Sequence, residues 1–202
     1  MASLKDRLKN AISRRSAPKE VNISKSWFAA QLQDFSVYSA RKESDEKIYK
    51  RGEKTKQAPS NESMIGKIAI FYYDPKYKQT LPFYDRFPMS IIVGPAKGGF
   101  AGLNLHYLPP VLRASFLDNL LDIMNSKTIT NDSKFAVTYD LLKASTKYKY
   151  FKPCYKHYLA SNVRSQVKII PPGDWIRTVF LESSIFVKAS RKEVYSWSRS
   201  KI

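Results

Sequence analysis

The chain has 202 residues, with 35 Lys and Arg against 17 Asp and Glu, a formal net charge of +18. One cysteine excludes a disulfide framework and a cysteine zinc site, and the two histidines, His106 and His157, are too far apart for an HExxH metal motif. A hydrophobic content of 43% supports one core, while no uncharged apolar run approaches the roughly 18–20 residues of a membrane span. The expectation is a strongly basic, one-domain protein with an appendage, needing no membrane, metal or cofactor.

At the N-terminus, Lys5, Asp6, Arg7 and Lys9 stand where a signal peptide needs an apolar stretch. Residues 3–15 instead predict a short amphipathic helix, with Leu4, Leu8 and Ile12 on one face. It is too short to be stable alone and is expected to order on a partner. A second apolar cluster holds Trp27, Phe28, Leu32 and Phe35. Residues 41–63 are polar and charged and read as a linker. Leu4, Leu8, Ile12, Trp27 and Phe28 are therefore candidate partner-binding residues on an extended arm, 1–63, ahead of a folded domain, 64–202.

Apolar density rises at Met64. Residues 66–73 predict a strand, and 74–77 a turn. The segment 81–88 is bracketed by prolines, so it predicts neither helix nor central strand. Within it, Asp85 and Arg86 are expected to form a buried ion pair that fixes the loop. Strands are predicted over 89–93 and 100–108, joined through the turn 94–99. The glycines there suit a hairpin rather than a phosphate loop, because no helix N-terminus follows. Pro109 and Pro110 open a helix whose apolar stripe runs from Leu112 to Met124. It is expected to lie across the sheet and close the core. Further helices are predicted near 137–145, 153–160 and 187–199, and strands over 163–170 and 175–181. The fold class is α+β, a small antiparallel sheet or partly open barrel covered by helices.

Charge is uneven. Residues 143–202 hold 13 basic and 3 acidic groups, more than half the excess. Such a field draws polyanions, nucleic acid first among them, with an acidic protein neighbour as the alternative. In 143–158 cations alternate with aromatics: the cations suit phosphates, and the rings suit exposed bases. Lys147, Lys149, Tyr150, Lys152, Lys156 and Arg164 form the first candidate nucleic-acid patch. Phe151 and Tyr155 are assigned to the core. Lys188, Arg191, Lys192 and Arg199, with Lys201, form a second candidate patch. No carboxylate spacing demands an acid–base pair. Cys154 lies among Lys152, Lys156 and His157, but an ordinary buried thiol explains it better than a nucleophile. His106, between Leu105 and Tyr107, reads as a satisfied core histidine. The pattern argues against an enzyme.

Phe71-Tyr72-Tyr73-Asp74-Pro75-Lys76, then Leu81 to Pro88, then Gly102 to Pro109 and Arg113, resemble a family of virion-associated proteins of T-even-like tailed bacteriophages, often described as DNA end protectors. The resemblance continues through residues 150–154 and 163–165 to 188–195, and leaves the first 63 residues uncovered. It implies a structural virion protein on the ends of packaged DNA or completing the head, with DNA and other virion proteins as partners, a possible symmetric ring, and assembly in the host cytoplasm. It supplies no catalytic residues. The alternative is a neck, tail or baseplate subunit whose charge meets acidic protein surfaces.

Overall fold

The computed structural model describes residues 64–125, 140, 142, 151–171, 174–175 and 183–201. The arm 1–63, Lys147, Lys149 and Tyr150 lie outside them, as does nearly all of the helix predicted over 137–145 and of the strand predicted over 175–181.

Seven strands and two α-helices organise the described residues. We label the strands β1 (Ile68–Ile70), β2 (Tyr84–Asp85), β3 (Met89–Ala96), β4 (Gly99–Asn104), β5 (Tyr155–Leu159), β6 (Lys168–Ile170) and β7 (Phe186–Val187). The helices are α1 (Pro110–Asn125) and α2 (Arg191–Ser200). Five strands form an antiparallel sheet in the order β5-β4-β3-β1-β6, and β2 pairs with β7 in a separate ribbon. The outer strands β5 and β6 do not pair with each other, so the sheet stays open and is not a barrel.

Alternation along the strands covers both faces of the sheet. Ile68, Ile70, Met89, Ile91 and Leu103 enter the main core, with Ala114, Phe116 and Leu117 of α1, Trp175, and Val194 of α2. Ala69, Phe71, Ile92, Phe100 and Tyr158 form a smaller cluster apart from it. There Phe71 meets Tyr158 edge-on at 5.1 Å, and Tyr73 does so at 5.0 Å. From the predicted α1 stripe, Phe116 and Leu117 enter this core and Leu112 packs against it, while the side chains of Leu120, Leu121 and Met124 lie outside the described residues. Helix α2 begins at a capping box: Ser190 Oγ accepts from the Glu193 amide, and Glu193 Oε2 accepts from the Ser190 amide.

The hairpin β3–β4 is longer than expected. Ala96 pairs with Gly99 across Lys97-Gly98, and Gly98 takes a φ of +73° that favours glycine. A β-bulge between Ile92 and Gly94 lets the strand run on past the predicted turn.

Several expectations are corrected. The strand predicted over 66–73 keeps only Ile68–Ile70, and the helix predicted over 187–199 starts at Arg191, with Val187 in β7 instead. Residues 155–159 are strand, not helix, because their backbone pairs with β4 from Leu103 to Gly99. Residues 105–107 leave the predicted strand as a 3-10 turn, capped by Asn104, whose Oδ1 accepts from the His106 amide at 3.0 Å. The strand predicted over 163–170 is broken: Val163 makes one bridge to Tyr73, Ser165 Oγ accepts from the Tyr72 amide, and ladder pairing resumes only at β6.

Candidate nucleic-acid interface

Two clefts flank the segment 73–84, and both are lined by Tyr73 and Tyr84. The first, of about 660 Å³, lies among 73–85, the β3–β4 turn, Asn104, Tyr107 and the inner residues of β5. Its walls are aromatic (Tyr73, Tyr77, Phe83, Tyr84, Tyr107 and Tyr158), and its cations are Lys76, Lys97 and Lys156, with His157 beside them. Tyr77 is 64% exposed and stands with the Lys76 ammonium 5.3 Å from its ring centroid. The second, of about 920 Å³, carries Lys78, Arg86, Arg164 and Lys188 against a single acid among the described residues, Asp74. Lys78 Nζ lies 2.9 Å from Asp74, and Arg164 Nη2 lies 3.9 Å from it.

The frame between the clefts is a buried polar hub. Asp85 Oδ1 accepts from the Phe87 amide at 3.0 Å and the Ile185 amide at 3.3 Å. Its Oδ2 accepts from Asn104 Nδ2 at 3.0 Å and from His106 Nδ1 at 2.5 Å. A carboxylate only accepts, so the imidazole proton sits on Nδ1, and Nε2 accepts from Ser183 Oγ at 2.9 Å. Burial pushes Asp85 up, but His106 and the donors around it outweigh burial and hold the carboxyl below its usual value. Burial drives His106 down, assisted by Arg113 and Arg191, against the pull of Asp85. The pair at neutral pH is thus a carboxylate and a neutral imidazole.

The expected Asp85–Arg86 pair does not form. Asp85 ends β2 and turns inward to His106, whereas Arg86, the first residue past the strand, is exposed to solvent. His106 is the satisfied core histidine its sequence context suggests. Asp85, His106 and Ser183 have the connectivity of a hydrolytic triad, a grouping the linear sequence hides because Ser183 lies 77 positions beyond His106. Ser183 is 2% exposed, however, and lines neither cleft. The trio works as a brace, and buried Arg113 extends it by donating from Nε to the Leu105 carbonyl at 3.0 Å. No group of three His, Cys, Asp or Glu suited to a metal occurs among the described residues.

The candidate patches separate. Lys152 and Arg164 are exposed. Lys156 is not a solvated cation: its Nζ lies 4.1 Å from the Tyr107 ring centroid and 5.6 Å from that of Trp197, and burial brings its pKa down to about 8. Cys154 is fully buried, and that burial pushes its thiol up to about 12, which removes it as a nucleophile. Tyr155 is 44% exposed rather than core, whereas Phe151 packs on Phe116 at 4.6 Å. Lys188 Nζ is spent as a brace, donating to the carbonyls of Lys78, Gln79 and Leu81. Lys192 and Arg199 are exposed on α2, and Arg191 is half-buried. The sequence reading missed Lys76, Tyr77 and Lys97. Adjacent aromatic and cationic residues at 76–77 were the available signal.

The family model described as phage T4 terminal DNA protecting protein matches residues 1–201. The chain belongs to that family. It is a bacteriophage virion protein that protects DNA ends, and the reading as a neck, tail or baseplate subunit gives way to this one. The match takes in the first 63 residues, which the resemblance had left uncovered. No curated relative and no solved structure matches the chain. No helix among the described residues is long and apolar enough to cross a membrane.

Proposed function

We propose that this DNA end protector works by occupancy, covering the terminal base pairs without making or breaking a bond. The observation that carries the reading is the second cleft, where Lys78, Arg86, Arg164 and Lys188 outnumber Asp74 four to one. Its net positive charge suits a phosphate backbone, and Arg86 and Arg164 are exposed at it. Lys152, Lys192 and Arg199 extend the cationic surface. Lys147, Lys149 and Tyr150 belong to the same proposed contact, while Lys188 contributes charge and holds the rim. The arm 1–63 docks on other virion proteins through Leu4, Leu8, Ile12, Trp27 and Phe28, ahead of the folded domain 64–202. Assembly occurs in the host cytoplasm, with several copies arranged symmetrically at the end.

The test is exonuclease digestion of linear duplex in the presence of the protein, beside binding to the same DNA as a covalently closed circle. Protection of ends and weaker binding to circles are expected. Arg86→Ala with Arg164→Ala should flatten the log–log salt dependence by about 2, since each phosphate contact contributes about 0.9. Equal binding to ends and circles, with no protection, refutes the reading.

A further inference from the structure

We propose that the first cleft is a seat for one unpaired nucleotide at the DNA terminus, its base lying against tyrosine rings and its phosphate facing Lys156, Lys76 and Lys97. The inference rests on the DNA-end reading and names a specific subsite within it.

Four observations converge on this occupant. The cleft volume of about 660 Å³ falls inside the range of about 300–1,000 Å³ common to small-ligand sites. Six of its lining residues are aromatic, and Tyr77, Phe83 and Tyr84 among them keep exposed surface, the kind of platform that unstacked bases use irrespective of sequence. Tyr77, at 64% exposure, offers an uncovered ring at the cleft. The charge is also one-sided. The only carboxylate lining it among the described residues, Asp85, is already engaged by four donors. Lys156 is held half-buried on Tyr107, and among the described residues no carboxylate lies within ion-pair distance of it. A cation kept out of water without an acid partner is complementary to an incoming anion. An intact duplex is too wide for a cleft of this size, so the occupant is a single frayed or overhanging nucleotide. The phosphates behind it meet the adjoining basic cleft, which shares Tyr73 and Tyr84. This arrangement distinguishes an end from an internal stretch, because only an end supplies a free nucleotide.

The full-length protein is titrated with linear duplexes bearing 2-aminopurine as the terminal, unpaired nucleotide, and with a closed circle of the same sequence. Stacking in the cleft is expected to quench the probe on binding. Tyr77→Ala and Lys97→Ala, both exposed positions that leave folding intact, are expected to abolish the quench and weaken end binding about tenfold, the loss of roughly one stacked base. Circle binding should stay within twofold. If wild type prefers ends but the probe is not quenched, or if neither variant alters end preference, the cleft assignment is overturned while the end-protection reading stands. If wild type shows no preference for ends, both fall.

Discussion

Replacing Lys156 with Met is expected to make the protein more stable and less able to hold a DNA end. Packing against Tyr107 and Trp197 strips water from the ammonium and lowers its pKa from 10.5 to about 8. At 1.36 kcal/mol per pKa unit, that shift corresponds to a cost of about 3 kcal/mol at pH 7. The contact with the Tyr107 ring returns about 1–2 kcal/mol. Methionine keeps an unbranched apolar stem and sheds the charge, so Lys156→Met should gain about 1–2 kcal/mol at pH 7. The sign with pH follows from proton counts. Between pH 8 and 10.5 the unfolded chain still holds the proton that the folded chain has released, so wild-type stability rises through that window. The advantage of the variant should therefore shrink between pH 7 and pH 9.5. Urea unfolding of both proteins at the two pH values, followed by tryptophan fluorescence, measures the difference. A variant less stable than wild type at pH 7, or an advantage that does not change with pH, refutes the account of Lys156 as a desolvated cation.

Asp85→Asn should cost about 3 kcal/mol or more, because it removes the charge that four donors address inside the protein; a loss under 1 kcal/mol in chemical denaturation contradicts the hub. His106, held neutral below its ordinary 6.5, contributes stability that is complete above that value and drains away as pH falls through it, so Tm should start to drop near pH 6.5, and His106→Gln should blunt this first phase. Cys154, with its thiol near 12, should resist a thiol reagent at pH 8 in the native protein and react fully in urea, and fast native labelling would place it at the surface. Gly99→Ala would drive a Cβ into the Tyr158 carbonyl and part β4 from β5, so soluble, fully stable protein from that variant would rule out the pairing described.

Local pattern made much of the fold legible. Residues 68–70 within the run 66–73, the opening of the α1 stripe and the glycines at 98–99 each carry their structure within a few residues. Strand β5 was hidden for a physical reason. Its alternation places a lysine, Lys156, at an inward position beside Tyr158, while Tyr155 and His157 face out, so apolar periodicity gives the wrong answer. The Asp85 hub was half legible. The neighbouring Arg86 is the nearest cation in sequence, but it is exposed, and the true partners of Asp85 lie 19, 21 and 100 positions on. The first cleft draws on four separated segments, so no stretch of sequence carries more than a fragment of it. The second keeps its signature at Arg164, whose exposed charge the composition already suggested.

Lys188 fixes the order in which the molecule can become competent. Its ammonium clasps three carbonyls in 78–81, more than 100 positions earlier, and Ser183 completes the Asp85 brace from the same late stretch. The central strand pairs β1–β3 and β3–β4 close over short chain separations, whereas the rim between the clefts closes only across a very long one. A ribosome must therefore release nearly the whole polypeptide before that rim is set. Chains interrupted before residue 183 lack Ser183, β7 and the Lys188 clasp, and so cannot close that rim.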